Sequence, residues 1–124
     1  MIPRFRAWDD WRKRMSVVDR IYIDTKGVRL YDDFGEYWRD FRDAKLMQST
    51  GLKDKNGKEI FEGDIVDYKG RKAVVKWHGS YASFIYRFVD ELNERVSEWH
   101  PLFLAYYHFE IIGNIYENKE LLDA

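Results

Sequence analysis

The sequence predicts a mainly β protein of the α+β class, in which an N-terminal subdomain of a β-hairpin and a short helix precedes a C-terminal meander of short strands that closes into a small barrel. Three observations predict this. Short β-branched or aromatic runs recur between tight turn signals, especially from residue 50 onward. One segment, 33–44, changes to a helical spacing. The chain has 124 residues, 45% of them hydrophobic, which suits one compact unit with a sizeable core, divided into a subdomain over 1–48 and a barrel over 49–124.

Taken in order, Arg4 to Trp8 alternate basic and apolar residues before two aspartates, as a short strand and turn would. Val17 to Ile23 is β-branched and runs into Asp24-Thr25-Lys26-Gly27, with Val28 to Tyr31 beyond; Gly27 is expected to supply the positive φ of a hairpin turn. Between Asp33 and Ala44, residues Phe34, Tyr37, Trp38 and Phe41 fall at i, i+3, i+4 and i+7, the spacing of one helix face. Glu36, Arg39, Asp40, Arg42 and Asp43 then form its polar face, with Asp32 or Asp33 as cap.

The stretch Thr50-Gly51-Leu52-Lys53-Asp54-Lys55-Asn56-Gly57-Lys58-Glu59-Ile60 reads as a hairpin. Asp54 to Gly57 fits a type I turn completed by a left-handed glycine, with Leu52 and Ile60 facing inward. Gly63-Asp64 bends the chain into a strand over Ile65 to Tyr68. Lys69-Gly70 turns it back into Arg71 to Trp77, and His78-Gly79-Ser80 leads to an aromatic strand over Tyr81 to Phe88. Asp90 to Trp99 returns to helical spacing through Val89, Leu92, Val96 and Trp99 until Pro101 stops it, and Phe109 to Tyr116 is the last strand, followed by a terminal turn.

Composition excludes several classes. The 21 basic and 22 acidic residues nearly cancel, so no global field draws the chain to nucleic acid or to an anionic membrane. Cysteine is absent, which removes disulfides and thiolate chemistry and suits a reducing cytoplasm. No stretch approaches the roughly 20 apolar residues of a membrane span, and the charged N-terminus lacks a signal-peptide core.

Sharper motifs fail on their own spacing. Between Gly51 and Gly57-Lys58 lie five residues where a phosphate loop has four, and Glu59 replaces the hydroxyl residue. Read as a calcium loop from Asp54, the glycine comes two positions early and Ile65 stands where the bidentate glutamate belongs. Glu98 with His100, and His108 with Glu110, could each share a strand face, but nothing joins those pairs or His78 into a metal site. No serine lies in a nucleophile elbow. The expectation is no catalytic residue, no metal and no cofactor.

What remains is basic residues interleaved with aromatics: Arg4, Arg6, Trp8, Trp11, Arg12, Lys13 and Arg14, then Lys69, Arg71, Lys72 and Trp77. Such surfaces hold phosphates while rings stack on bases, whereas alternation along a strand leaves the same cations simply solvated. Asp54, Asn56, Gly57, Gly63 and Asp64 are assigned to turns.

Phe5-Arg6-Ala7-Trp8-Asp9, the long central block Leu46 to Val66, and Ile112-Gly113-Asn114-Ile115-Tyr116-Glu117-Asn118 together resemble the YopX family, in order and along the whole chain. One departure is Ser49, where the family often has tyrosine; residues 10–45 match no known pattern, and their helix rests on periodicity alone. The resemblance implies a phage or prophage protein with an SH3-type barrel in its C-terminal part, and it carries over no catalytic residue. The reading that follows is a cytoplasmic, non-catalytic binding module that engages a host or phage protein, a second copy of itself, or both. A nucleic-acid-binding accessory protein is the alternative, and an enzyme comes last.

Overall fold

The computed structural model describes residues 4–92 and 99–123, which belong to two compact units, 1–49 and 50–124. In the first unit, strands β1 (Phe5–Asp9), β2 (Arg14–Tyr22), β3 (Gly27–Asp32) and β4 (Gly35–Asp40) form an antiparallel meander. The first half of β5 (Ala44–Lys53) pairs with the other side of β1, giving the order β4-β3-β2-β1-β5. One face buries Ala7, Val28, Leu30 and Ala44, against which Val18, Ile21, Tyr37, Phe41 and Leu46 pack. Val18 and Ile21 are three apart and would face opposite ways in a regular strand. A bulge between Val18 and Arg20 inserts Asp19 and returns both to the core.

The β2–β3 hairpin forms as expected, but the left-handed residue of its turn is Lys26 (φ 54°), not Gly27. Gly27 is instead the first residue of β3, and the Trp38 ring lies over it: a Cβ there would sit 2.0 Å from Trp38 Cζ2. Tyr22 packs on the same ring, 5.4 Å between centroids.

The helix expected over 33–44 is absent. Asp32 accepts a hydrogen bond from the Phe34 N–H at 2.8 Å, Gly35 takes φ 123°, and the chain reverses into β4 in register with β3. The aromatic spacing that imitates a helix is divided among three environments. Tyr37 faces the core opposite Leu30, Trp38 faces the other way opposite Arg29, and Phe34 and Phe41 belong to the flanking turns. Tyrosine and tryptophan favour a pleated surface, and pairing with β3 decides the outcome.

In the second unit the end of β5 enters the Asp54–Gly57 turn and leaves into β6 (Glu59–Phe61). The turn is the expected one: Gly57 N–H donates to Asp54 O at 3.0 Å and Gly57 has φ 82°. Asp54 Oδ1 accepts from the N–H groups of Asn56 and Lys58, at 2.9 and 2.8 Å. Gly63 (φ 88°) makes the next bend, where Asp64 accepts from the Phe61 N–H at 2.8 Å. Strands β7 (Asp64–Tyr68), β8 (Arg71–His78) and β9 (Ser83–Phe88) follow, the first two joined by Lys69 and Gly70, both with positive φ, as a two-residue hairpin turn requires.

The second sheet has the order β10-β9-β8-β7-β11, with β10 (His100–Pro101) and β11 (Glu110–Asn114) at its edges. It is antiparallel and open, so the expected closure into a barrel is corrected for the described residues. β10 is two residues long, and Pro101 has no N–H with which to extend pairing. Alternation gives the sheet two apolar faces. Val66, Ala73, Val75, Tyr86 and Phe88 pack with Ile60, Leu102, Ala105 and Phe109, while Leu52 is partly buried against them. Ile65 and Val74 pack with Val89, Leu92, Ile115, Leu121 and Leu122. Of the helix expected over 90–99, Val89–Glu91 forms one 3-10 turn, and residues 93–98 lie outside the described residues.

Candidate binding surfaces

The N-terminal arginines do not form a uniform basic edge. Arg4 precedes β1, Arg6 lies on it, and both have interacting partners. Trp8 is buried and offers no ring to a ligand. Trp11 is 68% exposed. Arg12 and Arg14 share one carboxylate, Asp32, at 3.5 and 3.4 Å, and their guanidinium groups lie over Tyr37 (4.1 Å) and Phe34 (4.8 Å).

The residue that organises this cluster is Arg39, which the sequence placed on a solvated helix face. In β4 it stands opposite Val28 and turns inward. Its Nε meets Asp9 Oδ1 at 3.0 Å, and its guanidinium lies 4.7 Å from the ring centroids of both Trp11 and Tyr37. Burial raises the Asp9 carboxyl, but the N–H of Trp11, the Arg39 guanidinium and the N–H of Arg12 outweigh it and hold its pKa below the usual aspartate value. The Tyr37 hydroxyl is pushed up by burial despite its hydrogen bond with Ser16. The positive charges here are thus largely matched within the unit.

The second basic group is also engaged. Arg71 donates to Asp90 at 2.8 Å and Glu91 at 3.2 Å and lies 3.6 Å from the Phe88 ring centroid. Lys72 Nζ reaches Asp123 O at 3.4 Å, and Lys69 sits over Tyr68. The histidines are dispersed among rings: His78 contacts Tyr81 and Trp99, His100 stacks on Tyr86, and His108 contacts Tyr68 and Tyr107. Among the described residues no group of three His, Asp or Glu side chains is arranged to hold a metal, and no helix is long and apolar enough to cross a membrane.

A concave surface lies elsewhere in the second unit. Trp77 and Phe84, a cross-strand pair with rings 5.0 Å apart, continue the apolar face of β8 and β9 beyond the core. With Leu52, Leu102 and Phe103 they line an open cleft of about 300 Å³ that has no charged residue among the described residues of its lining. Leu102 is fully buried at its base, while Trp77 and Phe103 remain 45% and 59% exposed. Trp77 appeared in the sequence only as part of a basic–aromatic mixture; strand alternation separates it from the neighbouring lysines.

The sequence model of the YopX protein family matches residues 4–123. The chain belongs to the YopX family. Over 99% of both chains, this YopX-family protein is similar to the crystal structure of protein EF1440 from Enterococcus faecalis, at 30% identity and a TM-score of 0.64. No curated protein matches it.

The central and C-terminal blocks on which the sequence resemblance rests have structural duties. In the central block, Asp54, Gly57, Gly63 and Asp64 close two turns, while Asn56 contributes its backbone N–H. In the C-terminal block, Asn114 Oδ1 accepts from the N–H groups of Tyr116 and Glu117, and Asn118 Oδ1 accepts from the Asn114 N–H at 3.1 Å. Gly113 leaves room for Asn118, whose Oδ1 would lie 2.5 Å from a Cβ at that position.

Proposed function

We propose that this YopX-family chain is a non-catalytic binding module whose C-terminal unit receives an extended, uncharged, apolar segment of a host or phage protein in the cleft between Trp77 and Phe103. The observation that carries this reading is a lining that, among the described residues, is uncharged and lies beneath two exposed rings. It disfavours a polyanion, and the volume accommodates one or two side chains of an extended segment, the way aromatic-lined grooves receive peptides. Describing the second unit as SH3-like is part of the same proposal, supported by its short antiparallel strands and tight turns. The phage or prophage setting rests on the family resemblance, and the cytoplasmic location on the cysteine-free composition. Nucleic-acid binding through Arg4, Arg6, Arg12, Arg14 and Arg71 gains no support from side chains already engaged within the protein.

A displayed random-peptide library selected on the wild type, then rescreened on Trp77→Ser and Phe103→Ser, tests the proposal. The expected result is a set of apolar peptides whose affinity falls about tenfold or more on either variant, as for an interface anchor. Failure to enrich any peptide, or equal binding to both variants, overturns it. Sedimentation that shows a wild-type dimer lost in Trp77→Ser would assign the cleft to a second copy of the chain instead.

A further inference from the structure

The reverse face of β8 and β9 has a different character from the cleft. Lys76 stands opposite Ile85, and Val74 opposite Arg87, so Lys76 and Arg87 are diagonal neighbours on the face away from Trp77. Both are partly withdrawn from water. Burial lowers the Lys76 pKa, the Arg87 charge lowers it further, and no carboxylate among the described residues offsets either effect. Arg87 donates from Nη2 to Glu91 O at 3.4 Å, while its buried Nε has no acceptor among the described residues. The nearby Glu91 carboxylate gives Oε1 to Arg71 at 3.2 Å, and its Oε2 is buried without a hydrogen-bond partner among the described residues.

On the same face, His78 follows Lys76 in the alternation and stands opposite Ser83. Its Nδ1 is buried with no partner among the described residues, and its ring meets Tyr81 at 4.7 Å and Trp99 at 5.1 Å. Tyr81 and Trp99 are themselves 4.8 Å apart, and Tyr81 is 62% exposed. Two cations without a carboxylate partner among the described residues, an imidazole nitrogen likewise without a partner and an accessible aromatic group therefore share one face. An unpaired, partly buried cation pair is costly by itself; an anion between the two removes that cost, and the adjoining rings offer a surface for a planar group.

We propose that this face binds a nucleoside phosphate, free or at the end of a single strand, with the phosphate between Lys76 and Arg87 and the base against Tyr81 and Trp99. His78 lies between the two subsites and supplies a hydrogen bond from or to Nδ1. The site is independent of the proposed cleft function, because Trp77 and Phe84 project from the opposite face of the same strands.

Calorimetric titration of the full chain with thymidine monophosphate, a short oligothymidylate and inorganic phosphate tests it, alongside Lys76→Met/Arg87→Met and Tyr81→Ala. The monophosphate or the oligonucleotide should bind the wild type, weaken about tenfold on Tyr81→Ala, and fall below detection on the double variant. Binding of both assigns a free or terminal nucleotide, and binding of the oligonucleotide alone assigns the strand. Tyr81 is exposed, so its variant tests the stacking even if the double variant fails to fold. The proposal is overturned by no binding, by inorganic phosphate binding as tightly as the nucleotide, by unchanged affinity in Tyr81→Ala, or by tighter binding of a phosphotyrosine peptide.

Discussion

The carboxylate of Asp54 accepts a hydrogen bond from the Ile111 N–H at 3.0 Å, across 57 positions of sequence. Its other oxygen closes the Asp54–Lys58 turn, so a single buried side chain fixes a local hairpin and ties it to β11. Asp54→Ala leaves three N–H groups without their acceptor and is expected to cost about 2–4 kcal/mol. Asp54→Asn retains one acceptor oxygen and should lose roughly half as much. Urea unfolding measures both, and a loss under about 0.5 kcal/mol in the alanine variant would refute this role.

Gly27 and Trp38 are coupled by contact. Gly27→Ala forces the indole aside and should destabilise the N-terminal unit by about 1–3 kcal/mol. In a Trp38→Ala background the same change should cost much less, because the obstructing ring has gone. A double-mutant cycle reads the difference, and strict additivity would rule out the contact.

Asp9 makes stability depend on acid. Its folded pKa lies below the ordinary unfolded value of about 3.9, so its stabilisation is full above that value and disappears as pH falls through the folded pKa. Asp9→Asn should therefore be less stable than the wild type at neutral pH and converge on it in strong acid. A gap in urea midpoint that stays constant between neutral pH and about pH 2 would exclude this role.

Gly113 and Asn118 test the C-terminal block. Asn118→Ala removes the acceptor of the Asn114 N–H and should cost about 1 kcal/mol. Gly113→Ala pushes against that side chain and should cost more, with part of the loss recovered when Asn118 is also alanine. Thermal unfolding of the three variants provides the comparison.

How much could be read from the sequence depends on the range of the forces involved. Local turn chemistry at Asp54–Gly57 and Lys69-Gly70, and alternation along β7, β8 and β9, are written in adjacent residues and emerge correctly. The segment around Tyr37 and Trp38 invites error because its aromatic spacing is compatible with a helix, and only pairing with β3 selects the strand. The same error concealed Arg39: its ion pair with Asp9 spans 30 positions and has no local signature. Arg12, Arg14 and Arg71 were recognisable as cations, but their partners Asp32, Asp90 and Glu91 become apparent only after folding. For the cleft, alternation alone could have isolated Trp77 from Lys76; its depth comes from Leu102 and Phe103, far along the chain.

Strand β11 pairs with β7, the earliest strand of its sheet, and also supplies the N–H that Asp54 accepts. During synthesis it emerges after every other strand of that sheet. The meander β7–β8–β9 must therefore wait on the ribosome with one edge unpaired, whereas the β1–β5 pairings lie within the first 49 residues and are available much sooner. The order of translation thus gives the N-terminal unit a head start and leaves the second sheet exposed to pairing with other nascent chains until its last strand arrives.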